Sequence, residues 1–446
     1  FKMGAPWSYF MSWSDLVSEQ NEANHIQKVY SHPAVITIES DNALWRSSLY
    51  PDTWYPGYKD TEGRFYHDFS YAGYHRGEDS IPTITNNIVD VTIAPYFVDN
   101  TGTEDVTTIL QQALDDVGQA GGGVVYLPEG TYLIREASST LNSDAALHMR
   151  YDSVVLRGAG PDKTFLFHNQ TQLRQKNIIH IRKAWSNWDT QLGTRSYIRS
   201  DLMEPTKVIP VESVDGFSVG DMIIVRNNFS TEFVQEHLMQ GIWDNTWLNG
   251  VMFLRRIDSI DMATSSLIID IPTRYYLKTR DGARVYHAGE HIKECGIENL
   301  SIGNRDNPKT GWGEEDYNTS GTGAYDVHYS HVMYFKYAMD CWVQNVATYK
   351  PEKNVADIEV LSNCLLMDMC RNITVDSCDF EKSQYEGGGG NGYMYTISSN
   401  DCLVKNSRAN DGRHNYDFKQ PFCSGNVILN CRGENSKFIC TSVWPI

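Results

Sequence analysis

Two stretches of the chain carry side chains able to move protons or to hold a charged sugar. The first is Asn410-Asp-Gly-Arg413-His414-Asn-Tyr-Asp417-Phe-Lys419. Read as a strand, it alternates His414, Tyr416 and Phe418 on one face with Arg413, Asn415, Asp417 and Lys419 on the other, which is taken to face solvent. Arg413 can then grip a carboxylate, a sulfate or a pair of hydroxyls, Lys419 can add a substrate contact, and Asp417 or His414 can transfer a proton. The competing reading is a salt-bridged outer strand with a buried, satisfied histidine. The second stretch is Gly323-Ala-Tyr-Asp326-Val-His328-Tyr-Ser-His331. If extended, Asp326 and His328 point the same way, and an Asp–His pair can orient an imidazole as a base; a surface pair without function competes with this.

Three further residues are expected to touch substrate. Glu386 precedes Gly387-Gly-Gly-Gly390 and is expected on a loop over a groove, with Tyr395 close behind it. Trp54 stands in an aromatic stretch with Tyr55 and Tyr58, where exposed rings can stack on sugars.

The elements that must position these residues are strands. Ile297-Glu-Asn299-Leu, Val343-Gln-Asn345-Val, Val375-Asp-Ser377-Cys, Val404-Lys-Asn406-Ser and Ile428-Leu-Asn430-Cys repeat one pattern at shortening intervals. Each is a strand and turn, and stacked asparagines can form hydrogen-bonded ladders along a coil. In a solenoid the loops of successive rungs line one side, so His328 and Arg413 are expected on the same flank.

Upstream, Val106, Ile109, Leu110, Leu114 and Val117 fall at helical spacing, with Thr103 or Asp105 able to cap the start and the glycines from Gly118 to stop it. Val124 to Leu127 and Thr131 to Ile134 then read as two short strands around the Pro128/Gly130 turn. This order of amphipathic helix, Gly121-Gly-Gly-Val-Val-Tyr-Leu-Pro-Glu-Gly130-Thr-Tyr-Leu-Ile134 and Val154-Val-Leu-Arg-Gly-Ala-Gly160 resembles the opening of the pectate-lyase-like superfamily of right-handed parallel β-helix proteins. The resemblance implies an all-β solenoid from about Tyr96 to the end, capped by the helix. Residues 1–95 form an irregular aromatic-rich extension packing on its flank, and residues 186–290 an insertion or irregular rungs. It implies a secreted, extracellular polysaccharide-active enzyme, a lyase or a glycoside hydrolase. A non-catalytic extracellular solenoid for glycan binding or surface assembly is the alternative.

The chain departs from the family's best-known sites. It has neither the spaced aspartates with Gly-His-Gly and Arg-x-Lys of polygalacturonase-type hydrolases nor the calcium-binding aspartate series with an arginine base of typical pectate lyases. No cofactor or metal is therefore expected, calcium being the one for which room remains. Asp326, Glu386 and Asp417 would serve hydrolysis, which needs two carboxylates. Arg413 with His414 or His328 would serve elimination, which needs a base and a neutraliser. Both stay open at this point.

Charge and composition narrow the partners. A net charge of −18 over 446 residues disfavours nucleic acid and anionic membranes. The part from Asn400 on is slightly basic, with six Lys/Arg against four Asp/Glu, which favours a negatively polarised ligand. No apolar run reaches the length of a membrane span. All nine cysteines lie at or after Cys295 without zinc-site spacing, and most are expected as free thiols inside the coil, Cys378 and Cys431 at equivalent places. The start at Phe1 is read as that of a mature or trimmed product, with the natural chain expected to continue beyond Ile446.

Overall fold

The computed structural model describes residues 51–437 except 52, 56, 136–143, 184–187, 189–190 and 244–249. The terminal segments read above as ends of a processed chain lie outside these residues. Strands stack in parallel into a right-handed coil with three faces. One turn supplies Thr374–Asp376, Asp379–Glu381 and Tyr393–Asn400, and the next supplies Leu403–Lys405, Arg408–Asn410 and His414–Phe418. Each strand pairs in parallel with its counterpart one turn on.

The repeated Asn or Ser forms the corner between two of these faces, as Ser377 does between Thr374–Asp376 and Asp379–Glu381. Asn299, Asn345, Ser377, Asn406 and Asn430 all adopt positive φ, between 51° and 56°. Among side-chain-bearing residues asparagine tolerates this left-handed conformation best. Its amide also bridges turns: Asn345 Nδ2 donates to Asn299 Oδ1 at 2.7 Å, and Asn430 Nδ2 to Asn406 Oδ1 at 2.8 Å. Ser377 is too short to join, so Asn406 donates to the neighbouring Asp376 Oδ1 at 3.0 Å.

Inside the coil one apolar core runs from Val91 to Cys423. Among the described residues eight cysteines are free thiols, seven of them buried. Cys378 and Cys431 follow the corner residue of their repeats as expected, and their thiols face the Val343 and Val404 carbonyls. The helix Thr107–Gln119 lays Leu110, Ala113, Leu114 and Val117 on the same core beside the first strands. Its N-cap is Val106, and Asp105 helps by accepting the Thr107 N–H at 3.0 Å.

One boundary differs from the sequence reading, and one alternative it left open is decided. The coil starts before Tyr96, because Ile88–Asp90 already pairs in parallel with Gly123–Leu127. Three β-prone residues in a Pro- and Gly-rich setting give no periodic signal of their own. Between Leu192 and His287 the chain leaves the coil altogether, forming a six-stranded antiparallel sheet that an Ile198–Val211 bridge closes on itself. It is an insertion with its own core, around Phe233, Val225 and Ile257, rather than irregular rungs. A buried ionic network joins it to the coil: Asp401 accepts from Arg255 at 3.0 Å and from Arg274 at 2.8 Å, while Arg371 pairs with Asp270. Among the described residues no helix is long and apolar enough to cross a membrane.

Candidate functional site

The first face of the coil is built by Ala145–Met149, Asn177–Ile181, His331–Lys336, Asn363–Arg371, Tyr393–Asn400 and His414–Phe418. Parallel register places Leu147, Ile179, Met333, Leu365, Tyr395 and Tyr416 in one row, all in the core. Alternation turns the next residue of each strand outward. That outer row reads His148, His180, Tyr334, Leu366, Thr396 and Asp417. Two residues further along, Lys336, Asp368 and Ser398 form a parallel row.

These outward side chains interlock. The Asp144 carboxylate lies 3.1 Å from His180 Nδ1 and 3.5 Å from His148 Nε2. The hydrogen bond to His180 holds the Asp144 carboxyl down at about 2. The His180 ring stacks flat on Tyr334, centroids 4.8 Å apart. The Tyr334 hydroxyl donates to Asp368 Oδ2 at 2.8 Å, and Lys336 Nζ reaches the same oxygen at 3.0 Å. His331 meets the edge of Tyr329 at 4.8 Å, and burial pushes its imidazole down to about 3.

The far end of the face holds Asp417, Lys419, Tyr393 and His414. Burial lifts the Asp417 carboxyl to about 6 against the pull of Lys419. Burial lowers the Lys419 ammonium, and both Asp417 and Asp368 oppose that shift. Lys419 Nζ sits 4.9 Å from the Tyr393 ring centroid, and His414 packs edge-on to the same ring at 4.7 Å. Burial, with Arg413 and Lys419 adding, brings His414 down to about 4.

Several expected site residues stand elsewhere. Gly323–Val327 is a short helix capped by the Thr322 hydroxyl, so Asp326 and His328 do not form an extended pair. Asp326 binds Lys309 Nζ at 2.7 Å, whereas the buried His328 ring meets Asn391 Nδ2 at 3.1 Å. The Thr322 hydroxyl, accepting the Tyr325 N–H at 3.1 Å, closes a helical turn here in place of the extended form. Tyr395 is fully buried between Phe380 and Tyr416 and donates to the Cys378 and Arg408 carbonyls, so it is a core residue and no substrate contact. The solvent face expected for Arg413, Asn415, Asp417 and Lys419 does not form as such. The register skips Asn415 between His414 and Tyr416, turning Asn415 inward onto the Ala409 and Glu434 carbonyls. Asp417 is only 8% exposed.

Arg413 precedes the strand and reaches sideways to Gly387 O and, at 2.7 Å, to Glu314 Oε1. It and His328 therefore both abut the 387–392 loop at one edge of the face. Glu386 opens that loop, half-buried, with its carboxyl lifted to about 7 by burial and by Asp411. Trp54 lies in a segment tied to the inserted domain through Lys59 and Glu204 at 2.5 Å.

The sequence reading does not single out Asp144, His148, His180, Tyr334, Lys336 and Asp368. His148, His180 and Asp368 each interrupt an apolar strand singly, as in Ala145-Ala-Leu-His148-Met and Asn177-Ile-Ile-His180-Ile, while Asp144 precedes a strand and Tyr334 and Lys336 share one. Only aligning the strands turn by turn brings them together on one face.

Comparison with known proteins bears on the fold. The family described as "Rhamnogalacturonase A/epimerase, pectate lyase-like" matches residues 91–203. Mannuronan C5-epimerase AlgE6 of Azotobacter vinelandii is 36% identical over 119 residues, 27% of this chain and 13% of that protein. Its A-module structure aligns with 78% of this chain and 56% of its own at 12% identity and a TM-score of 0.35. A tailspike of E. coli bacteriophage HK620 covers 84% of this chain and 44% of its own at 10% identity and a TM-score of 0.40. A tailspike of Acinetobacter baumannii bacteriophage AP22, solved with a capsular saccharide, gives 10% identity over 76% of this chain and 56% of its own, with a TM-score of 0.33. The chain thus spans about half the length of these structures and far less of the curated relative. The stacked parallel turns already described make this chain a parallel β-helix, and its residues 91–203 are similar to the pectate lyase-like family.

Proposed function

We propose that the chain is a carbohydrate-active enzyme that holds an extended acidic glycan along the outer face of the first sheet and hydrolyses it by acid–base catalysis. The observation that carries this reading is the pair Asp368 and Asp417. Tyr334 and Lys336 both donate to Asp368, which leaves that carboxyl in a polar, hydrogen-bonded setting. Burial lifts Asp417 to about 6, which favours its acid form. Two carboxyl groups in such different settings, one held by donors and one buried, can divide the roles of base and acid. They stand on strands two steps apart and two residues out of level, roughly 12 Å between backbones, with Lys419 acting on both. A wide separation of this kind suits a water between them, as inversion requires, better than direct attack. Lys336 and Lys419 set positive charge on this face of an acidic protein, which suits a uronate or a sulfated sugar. The names of the matched family, the epimerase and the saccharide-bound tailspike favour a polysaccharide substrate, and one met outside the cell.

One observation favours a second reading, β-elimination or epimerisation at a uronate. His414, held unprotonated at neutral pH by burial, lies beside the same Tyr393 ring as Lys419, giving a base next to a charge neutraliser. A panel of acidic polysaccharides, followed for reducing ends, ultraviolet absorbance of unsaturated ends and sugar stereochemistry, separates the two. Reducing ends without absorbance support hydrolysis. Reducing ends with matching absorbance, or changed stereochemistry without cleavage, overturn it in favour of the second reading. Tight binding with no change of any kind overturns both in favour of a glycan-binding solenoid.

A further inference from the structure

At the N-terminal end of the same face, one carboxylate and two imidazoles converge in a way the acid–base reading does not use. Asp144, His148 and His180 each offer one donor atom such that all three atoms lie within 4.8 Å of one another. The closest approaches are 3.1 Å from Asp144 Oδ2 to His180 Nδ1 and 3.5 Å from Asp144 Oδ1 to His148 Nε2. The second is too long for a good hydrogen bond. Both are close to the spacing of neighbouring donors around a small tetrahedral ion, about 3.4 Å for metal–ligand distances near 2.0–2.1 Å.

The donors are also held in place before anything binds. His148 and His180 stand opposite each other in parallel register, their ring centroids 5.8 Å apart. Gln111 clamps the His148 backbone, accepting its N–H at 2.7 Å and donating to its carbonyl at 2.9 Å. The Asn177 backbone N–H fixes the Asp144 carbonyl at 2.7 Å, and stacking on Tyr334 fixes the His180 ring. His180 is 4% exposed, and its Nε2 is buried with no hydrogen-bond partner. The nitrogen turned toward Asp144 is Nδ1, so the ring would enter a donor set through that atom, with Nε2 on its far side. Asp144, with 45% of its side chain exposed, leaves one side of the cluster open.

We propose that Asp144, His148 and His180 bind one first-row divalent cation of the zinc type, through two imidazoles and a carboxylate, with a coordination position left for water or a ligand oxygen. Imidazole nitrogen favours zinc, nickel, copper or iron over calcium and magnesium. Three protein ligands with an open position differ from the closed sets of purely structural zinc sites. The other grouping of this kind among the described residues, His75 with Glu294 and Asp340, is less suited. Both His75 nitrogens are already engaged, by Asp79 at 2.7 Å and Glu294 at 2.8 Å.

The test is calorimetric titration of the chelator-treated full chain with zinc chloride, repeated with cobalt(II) to read the visible absorption of a low-coordinate site. One equivalent should bind and raise the melting temperature in a zinc-dependent way. Asp144→Asn, His148→Ala and His180→Ala should each weaken binding roughly tenfold or more, while Glu294→Gln leaves it unchanged. Asp144→Asn keeps shape at a half-exposed position, so it decides the matter where a histidine variant fails to fold. Absence of saturable zinc binding overturns the proposal, as does binding that survives Asp144→Asn and His180→Ala or that disappears in Glu294→Gln. Binding is read without substrate, so its failure leaves the hydrolysis reading standing, and failure of that reading leaves the zinc result standing.

Discussion

Tyr334 lies flat against His180, the ring planes 7° apart, while its hydroxyl donates to Asp368 on the next turn of the coil. One side chain thereby couples an imidazole to a carboxylate across three consecutive strands. Burial and the neighbouring Asp368 raise the Tyr334 hydroxyl well above its ordinary range, so it stays a hydrogen-bond donor at all working pH values. Tyr334→Phe keeps the ring stack and removes only that donor. It should cut turnover on the identified glycan by about tenfold to a hundredfold with little change in melting temperature; a fully active variant would remove Tyr334 from the site.

Asp417 gives a pH signature of both activity and stability. Its carboxyl is raised to about 6 in the folded chain against an unfolded value near 3.8. A raised value means that the folded state binds the proton more tightly. Its stabilising contribution is therefore complete below about pH 3.8 and is lost as pH rises through about 6. Asp417→Asn should thus be more stable than the parent at pH 8, on the order of 3 kcal/mol, and no more stable at pH 4. The same variant should lose about a hundredfold or more in turnover if Asp417 is the acid. Urea denaturation at the two pH values, beside initial rates, checks both.

The corner asparagines should separate conformation from hydrogen bonding. Asn345→Ala loses the bond to Asn299 and places a β-carbon in the left-handed region, for a combined cost of about 2 kcal/mol. Asn345→Gly loses only the bond and should cost about 1 kcal/mol. Equal losses in equilibrium denaturation would show that the left-handed backbone costs alanine little here.

Asp401 neutralises Arg255 and Arg274 where all three are buried. Asp401→Asn leaves two guanidinium groups facing a neutral amide and should destabilise by about 3–5 kcal/mol. Because the pair joins the coil to the inserted domain, proteolysis of this variant is expected to release the inserted domain first. Cleavage spread evenly along the coil would contradict that.

The buried thiols should be silent in the native protein. Burial raises Cys364 and Cys402 well above the ordinary range and Cys370, Cys378 and Cys423 to about 12. A thiol reagent should find almost none of them folded and at least eight in denaturant without reductant, the number free among the described residues. A count below three in denaturant would mean that disulfides form.

What the sequence discloses follows the range of each interaction. The corner residues Asn299 to Asn430 are legible because a left-handed position and an amide ladder demand the same residue type at every turn. The helix and the Gly123–Leu127 strand are legible from local periodicity. The outer row escapes because His148, His180, Tyr334 and Asp368 come from four separate strands, and only pairing between turns unites them. Of the residues singled out from local clustering, Asp417, Lys419 and His414 lie on the face, since their strand is itself the last turn of it. Tyr395 falls on the wrong side of its strand when register is unknown, and Asp326 reads as extended although the Thr322 cap turns its neighbours into a helix.

On the proposed reading, the outward row on the first sheet also works as a ruler. Each turn of the coil presents one side chain at one height, and successive turns are spaced by about 4.8 Å. A polymer lying along that face meets a new chemical group at each step, from His148 through Tyr334 to Asp417. Gain or loss of a whole turn would lengthen or shorten the stretch of polymer that is read while leaving every other graduation in register. The length recognised can therefore be altered independently of the chemistry performed.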